Sequence, residues 1–265
     1  LNGTGGGGGG ARENNGGNGG SGIVIIRYKY KLQPTPIDID YKYLAFPYVP
    51  AYPKLTADST NLKAHYKFDG NFEDSIGTNH ATSVGTDTPS FLENSLFLSG
   101  TPKDEKLKIP DFDFINMDIS ISFSFKPLTF ITTDNFIIHF NNTDDVNNRL
   151  MFYTRDNGTK FQVIYQGNGG TDLNADDGSG IPLTLNMWHY IVFVITNGEQ
   201  RLYVNNSLQG TTNGTHISHI YNNNSIGYFN PDFKCLIQDF RIYDKALTQE
   251  EITQLNTIPT STSYT

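Results

Sequence analysis

Acidic and amide side chains at alternate positions are the residues of this chain best suited to chemistry. Asp172, Asn174 and Asp176, followed by Asp177 and Gly178, offer oxygens at every second position, the arrangement from which a calcium loop is built. The helix–loop–helix template is not met, since Asp177 stands where the sharp-turn glycine belongs and Leu183 where the bidentate Glu belongs. A solvated Asp/Asn/Gly hairpin loop fits the same residues. His216 and His219 have a spacing that ligates zinc from a helix, but their Asn, Ser and Gly neighbours read as a loop with no third ligand nearby. Glycoside hydrolysis needs two carboxylates about 5–10 Å apart, and the tidy alternation of Asp38 and Asp40 on a strand lies outside residues 61–256. There is no Gly-x-Ser-x-Gly elbow and no phosphate loop. The single cysteine, Cys235, excludes an intrachain disulfide and sits in an apolar run that predicts a buried, inert thiol. Binding chemistry is better served. Two Asn-rich segments, 165–180 and 216–232, carry Tyr221, Tyr228 and Phe229, and rings beside amides are what a sugar site needs. Ordinary solvated loops share that composition.

These side chains must be positioned by strands. Residues 188–196 and 200–204 are apolar runs flanking Asn197-Gly198, a strong hairpin signal that predicts a type I′ turn. A second turn follows at Asn205-Asn206. Further strands are expected near 95–99, 106–109, 119–126, 136–140, 149–154 and 160–166, separated by Gly/Asn/Asp turns. In 119–126, Ile119, Ile121, Phe123 and Phe125 alternate with Ser120, Ser122, Ser124 and Lys126, predicting one face in the core and one in water. Strands 119–126, 188–196 and 200–204 place no acidic residue where a hydrolase would need one. One helix is expected, at the end. Thr248 to Glu251 form a capping box, Leu247 and Ile252 a hydrophobic staple, and Leu255 continues the stripe.

The fold class is therefore all-β, a two-sheet antiparallel sandwich with one short C-terminal helix, over residues 61–256. Ahead of it, residues 1–22 hold 12 of the 26 glycines and read as a linker or as an anchor packed against neighbouring subunits. Residues 23–60 form a Pro- and Tyr-rich extended connector whose aromatics predict docking on a neighbour. Residues 257–265 read as a polar tail. The chain begins at Leu1, so it is processed or is a piece of a longer protein. With a net charge of -8 and no Lys/Arg run, nucleic acid and acidic lipid are disfavoured as partners. No apolar run reaches the roughly 18 residues of a membrane span. Asn-x-Ser/Thr sequons stand at Asn2, Asn141, Asn157, Asn205, Asn213 and Asn223.

The hairpin 188–210, the segment Cys235 to Leu247 and the opening stretch Ala64 to Ala81 together resemble laminin-G-like domains of the concanavalin A type, a jelly roll. Unlike that family, the strand 119–126 has no Trp near its end. His189 fits a strand-start position where packing is the family's usual role. The resemblance implies a module that mostly binds or builds, with a minority of catalysts. It also implies a structural or ligand-bridging calcium, held by the loop after the first strand and by an Asp before the Arg-Ile-Tyr strand; here these are Asp74, Asn79 and Asp239. Asp74 capping a turn and Asp239 pairing with Arg241 or an amide is the other reading of those residues. Gly19 to Tyr28 resembles the closing strand of glycine-rich regions in phage tail fibres and large-virus structural proteins. The combined expectation is a non-enzymatic structural or adhesive component of a virion or cell-surface assembly, held to neighbouring subunits through residues 1–60. A calcium-assisted lectin for cell-surface glycans is the alternative, and a glycoside hydrolase the least favoured.

Overall fold

The computed structural model describes residues 60–257, apart from 85–86, 101–104, 131–134, 144–148, 167–171, 175–179, 219 and 229–232. The glycine-rich segment, the connector up to residue 59 and the tail beyond Thr257 lie outside the described residues. Within them, two antiparallel sheets pack face to face and one helix follows, as the alternating apolar pattern predicts.

Strands are numbered along the chain. The first sheet contains β1 (Leu62–Tyr66), β3 (Ser90–Leu92), β4 (Ser95–Leu98), β6 (Ile119–Pro127), β12 (His189–Ile195), β13 (Gly198–Val204), β14 (Ser207–Gly214) and β16 (Cys235–Tyr243). They are ordered β14-β13-β12-β6-β16-β4-β3, with β1 added beside β16. The second sheet contains β2 (Thr82–Val84), β5 (Lys106–Ile109), β7 (Asn135–Asn141), β8 (Arg149–Arg155), β9 (Lys160–Gln166), β10 (Asp172–Asn174), β11 (Ile181–Pro182) and β15 (Asn224–Tyr228). Its order is β10-β9-β8-β7-β15-β5-β2, with β11 beside β9.

One cluster fills the space between the sheets. Ile121, Phe123, Ile191, Phe193 and Ile237 come from the first sheet, and Leu107, Ile138, Leu150, Phe152 and Val163 from the second. Phe152 meets Phe123 (5.4 Å, 84°) and Phe193 (5.9 Å, 89°) edge-on, the geometry that aromatic quadrupoles prefer.

The outer face of the first sheet is also covered. Tyr190, Val192, Val194, Tyr203 and Tyr243 form a second cluster with Leu247, Ile252 and Leu255 of the helix α1 (Gln249–Thr257) and its lead-in. The capping box forms as expected: Glu251 N–H donates to Thr248 Oγ1 (3.3 Å) and Thr248 N–H to Glu251 Oε2 (3.0 Å). This cover corrects the expectation for β6, because Ser120 and Ser122 are fully buried rather than wet. Ser120 Oγ donates to Lys245 O (2.7 Å) and accepts from Leu247 N–H (2.9 Å), so burial leaves it satisfied.

The hairpin turns also differ in detail. Between β12 and β13 only Gly198 takes a positive φ (112°), so that turn is not type I′. The type I′ geometry falls one turn later, where Asn205 (φ 50°) and Asn206 (φ 68°) join β13 to β14. Asn tolerates the left-handed region because its short amide bonds locally, and Asn205 Oδ1 accepts from Tyr190 N–H (2.9 Å).

Candidate functional site

The residues expected to hold calcium do meet at one place. β16 carries one extra residue between Gln238, opposite Ser124, and Arg241, opposite Ser122. This bulge sits where β16 changes neighbour from β4, at Cys235 to Ile237, to β1, at Phe240 to Tyr243. Asp239 occupies it with φ 58° and is 5 % exposed. His65 Nε2 lies 2.6 Å from Asp239 Oδ1, and Arg241 Nη2 donates to the same oxygen (2.9 Å). His65 also joins Asp239 to Asp74: Asp74 Oδ1 accepts its main-chain N–H (3.0 Å) and that of Ile76 (3.2 Å), while Oδ2 accepts Asn79 N–H (3.3 Å). The Asn79 carbonyl accepts the Tyr66 hydroxyl, and the Asn79 side-chain amide donates to Lys63 O (3.2 Å).

This donor set does not suit a calcium ion. Calcium takes six to eight oxygens. Here both lone-pair directions of Asp74 Oδ1 are taken by amides, and a guanidinium already neutralises Asp239. Among the described residues no group of three His, Cys, Asp or Glu side chains could hold a metal. In this arrangement Asp74, Asn79 and Asp239, the residues expected to hold calcium, clamp the loop 74–79 and the bulge onto β1. The described part of the weaker set lies elsewhere, in the second sheet. Asp172 and Asn174 lie on β10, in register with Gln166 and Ile164 as an extended edge rather than in a loop, and Asp176 is outside the described residues.

The other expected side chains scatter. Tyr221 is no sugar platform but fully buried, edge-on to Phe114 (6.4 Å) and tilted on Phe140 (6.0 Å); burial pushes its phenol pKa well up. Tyr228 is on β15 opposite Phe136, and Phe229 is outside the described residues. His216 Nε2 bonds Asp118 Oδ1 (2.7 Å), while its expected partner His219 is outside the described residues. His189, at the start of β12, is 6 % exposed and its Nε2 accepts Thr184 N–H (3.1 Å). Cys235 is fully buried and burial raises its thiol pKa. The sequon residues Asn157, Asn205, Asn213 and Asn223 are exposed and Asn141 is half-buried.

A recess lies instead on the outer face of the second sheet. It is a cleft of about 600 Å³, within the usual range for ligand sites. β5 contributes Lys106 and Lys108, β15 Asn224 and Ser225, β7 Phe136, His139 and Asn141, and β8 Arg149 and Met151. Register explains the gathering. Thr82, Lys108, Ser225, His139, Met151 and Ile164 are successive cross-strand partners, so they form one row on one face.

Phe136 joins that face through a second bulge. Phe136 is opposite Tyr153 and Ile138 opposite Phe152, which leaves Ile137 as the extra residue. Ile137 and Ile138 both enter the core, and Phe136 and His139 on either side of them both emerge. Phe136 stacks on His139 (6.1 Å, 25°) and tilts against Tyr153 (5.9 Å). Tyr153 donates to Gln162 Oε1 (2.5 Å), which also accepts from Arg155 Nη1 (2.8 Å), so the row is braced on β8 and β9. Burial, and then the Arg149 charge, lower the His139 pKa to about 4, which keeps the ring neutral at pH 7. Sequence reasoning missed this cleft. Its signals are Lys106-x-Lys108 on one strand and the doublet Ile137-Ile138, which breaks a period of two.

The family model described as the concanavalin A-like lectin/glucanases superfamily matches residues 100–253. Domain 4 of AbnA, an extracellular arabinanase of Geobacillus stearothermophilus solved with arabinotriose, superposes with a TM-score of 0.55. It is 22% identical, over 74% of this chain and 98% of that one. The receptor binding domain of botulinum neurotoxin D gives 0.58 at 16% identity, over 74% of this chain and 52% of that one. The neurotoxin G domain gives 0.56 at 17%, over 74% and 51%. The chain thus spans about half the length of the toxin domains. At these identities the likeness is one of fold. No protein of curated function matches the chain in sequence.

Proposed function

The chain belongs to the concanavalin A-like lectin/glucanases superfamily, and from that premise we propose that it is a non-catalytic glycan-binding module of a surface-displayed protein. One observation carries the reading: the cleft on the second sheet, where the Phe136 ring and the amides of Asn141 and Asn223 line one recess. Sugar rings bind by laying an apolar face on an aromatic and their hydroxyls on amides and hydroxyls. The sandwich offers this face because the first sheet is covered outside by α1 while the second is recessed. Among the described residues lining the cleft there is no carboxylate, which favours holding a glycan over cleaving it. The AbnA domain is a precedent in the same fold, since it was solved with arabinotriose. Residues 1–60 would tether the module to its assembly, at a virion or cell surface. No helix of the described residues is long and apolar enough to cross a membrane.

The test is a glycan array probed with the full chain and with Phe136→Ala, its fold checked by circular dichroism. Binding to a glycan class that drops at least about tenfold in the variant is expected. A silent array, or hits unchanged by Phe136→Ala, refutes the reading, and release of reducing sugar from a bound glycan refutes its non-catalytic part.

A further inference from the structure

The described lining of the cleft is cationic in a chain that is not. Three of the residues lining it are Lys106, Lys108 and Arg149, and none of its described residues is acidic, while the chain as a whole carries a net charge of -8. Placement follows from register. Lys106 and Lys108 are two apart on β5 and so share its outer face. Arg149 stands on β8 opposite Asn141, two pairs along from His139 and Met151 and therefore on the same face. From β5 through β15 and β7 to β8 is three strand steps, about 14 Å at about 4.8 Å each. The cations therefore flank the cleft on two sides, and the Phe136–His139 stack lies between them.

Resting on the glycan-binding reading, we propose that the ligand is an acidic saccharide. Its carboxylate or sulfate groups would lie against Lys106, Lys108 and Arg149, and a ring face on Phe136. Arg149 offers a planar fork that pairs with a carboxylate or sulfate through two parallel bonds. The two lysines offer mobile point charges that suit a group repeated along a chain. Three cations around one ring favour an anionic sugar over a neutral one by charge complementarity. The overall negative charge does not oppose this, because at physiological salt a charge is felt over only about 8 Å. Burial is the larger cause of the depressed His139 pKa, and the Arg149 charge beside it is the second.

The experiment uses the full chain, with titration calorimetry on matched pairs of oligosaccharides. The pairs are uronic-acid chains and their methyl esters, sulfated chains and their desulfated forms, and sialylated glycans with their asialo forms. A short oligothymidylate is added as an unrelated polyanion. The expected result is a charged member bound at least about tenfold more tightly than its neutral partner, weakening as salt rises from about 50 to about 300 mM. Which pair shows it separates carboxylate from sulfate. The double variant Lys108→Gln with Arg149→Gln should bring the charged member down to the affinity that the same variant shows for its neutral partner. Equal binding of both members overturns the acidic inference and leaves the glycan reading standing. No binding by any saccharide overturns both. Preference for a charged member that survives the double variant, or tighter binding of oligothymidylate through the same residues, also overturns it.

Discussion

Replacing Asp74 separates a structural clamp from a metal ligand. Asp74 is 4 % exposed and accepts three main-chain N–H groups, from His65, Ile76 and Asn79. In Asp74→Ala those donors lose a charged acceptor. Ile76 is exposed, so its N–H recovers water, while those of His65 and Asn79 are partly shielded. At about 1–3 kcal/mol for each buried donor left unpaired, the loss is about 3 kcal/mol. In a domain of this size that lowers Tm by about 6–12 °C. Asp74→Asn keeps one acceptor oxygen and should lose about half as much. The assay is urea unfolding of wild type and both variants, each in EDTA and in excess calcium. A structural calcium at about 100 times its Kd would add about 2.7 kcal/mol to wild type and nothing to the variant. The clamp predicts the same loss in both buffers. A calcium-dependent gain that Asp74→Ala abolishes, or a loss below about 1 kcal/mol in EDTA, refutes the reasoning.

Other outcomes follow from named contacts. The His139 pKa is depressed to about 4, so between the ordinary value of 6.5 and about 4 the unfolded chain binds a proton that the folded one refuses. Stability then falls with falling pH across that window, and wild type should lose about 2 kcal/mol more than His139→Gln between pH 7 and about pH 4.5 in urea titrations. Lys106 and Lys108 from β5 and Arg149 from β8 share the cleft with His139 and hold this sign. Thr248→Ala removes the acceptor of Glu251 N–H and should cost about 1 kcal/mol, read as a Tm drop of about 2–4 °C. Gly100 has φ 70°, and a Cβ there would stand 2.4 Å from Phe233 O, so Gly100→Ala should cost at least about 2 kcal/mol by chemical denaturation. Cys235 is fully buried, so Ellman's reagent should count no thiol in the folded chain and one after unfolding.

Much of the scaffold was legible because it rests on local rules. Alternating Ile and Phe marked β6, an Asn pair marked the turn after β13, and Thr248 with Glu251 marked the cap of α1. What failed was the reading of faces. The serines of β6 alternate as if wet, but Leu247, Ile252 and Leu255 come from more than a hundred residues downstream to cover their sheet. Tyr221 looked like a loop ring because Asn and Gly surround it, yet its neighbours Phe114 and Phe140 are distant in sequence. Net charge misled in a similar way, since a total of -8 hides three cations brought onto one face by two separate strands.

Both constellations of polar side chains depend on one extra residue in a strand. In β16 the inward positions are odd at Cys235 and Ile237 and even at Phe240 and Ile242, and Asp239 stands where the count changes. In β7 the inward residues are the neighbours Ile137 and Ile138, and the count changes between Phe136 and His139. Without the second bulge a strict alternation would place Phe136 and His139 on opposite faces, and the cleft would keep its cations but lose one ring. A bulge costs a ladder hydrogen bond and leaves the hydrophobic set intact, because the core residues simply shift phase. That is how a sandwich whose interior is fixed by packing can still re-aim polar and aromatic groups. The functional asymmetry of the two sheets then follows from what covers them. The Asp239 bulge lies in the sheet capped by α1 and serves the clamp to β1, while the Ile137 bulge lies in the recessed sheet and serves the cleft.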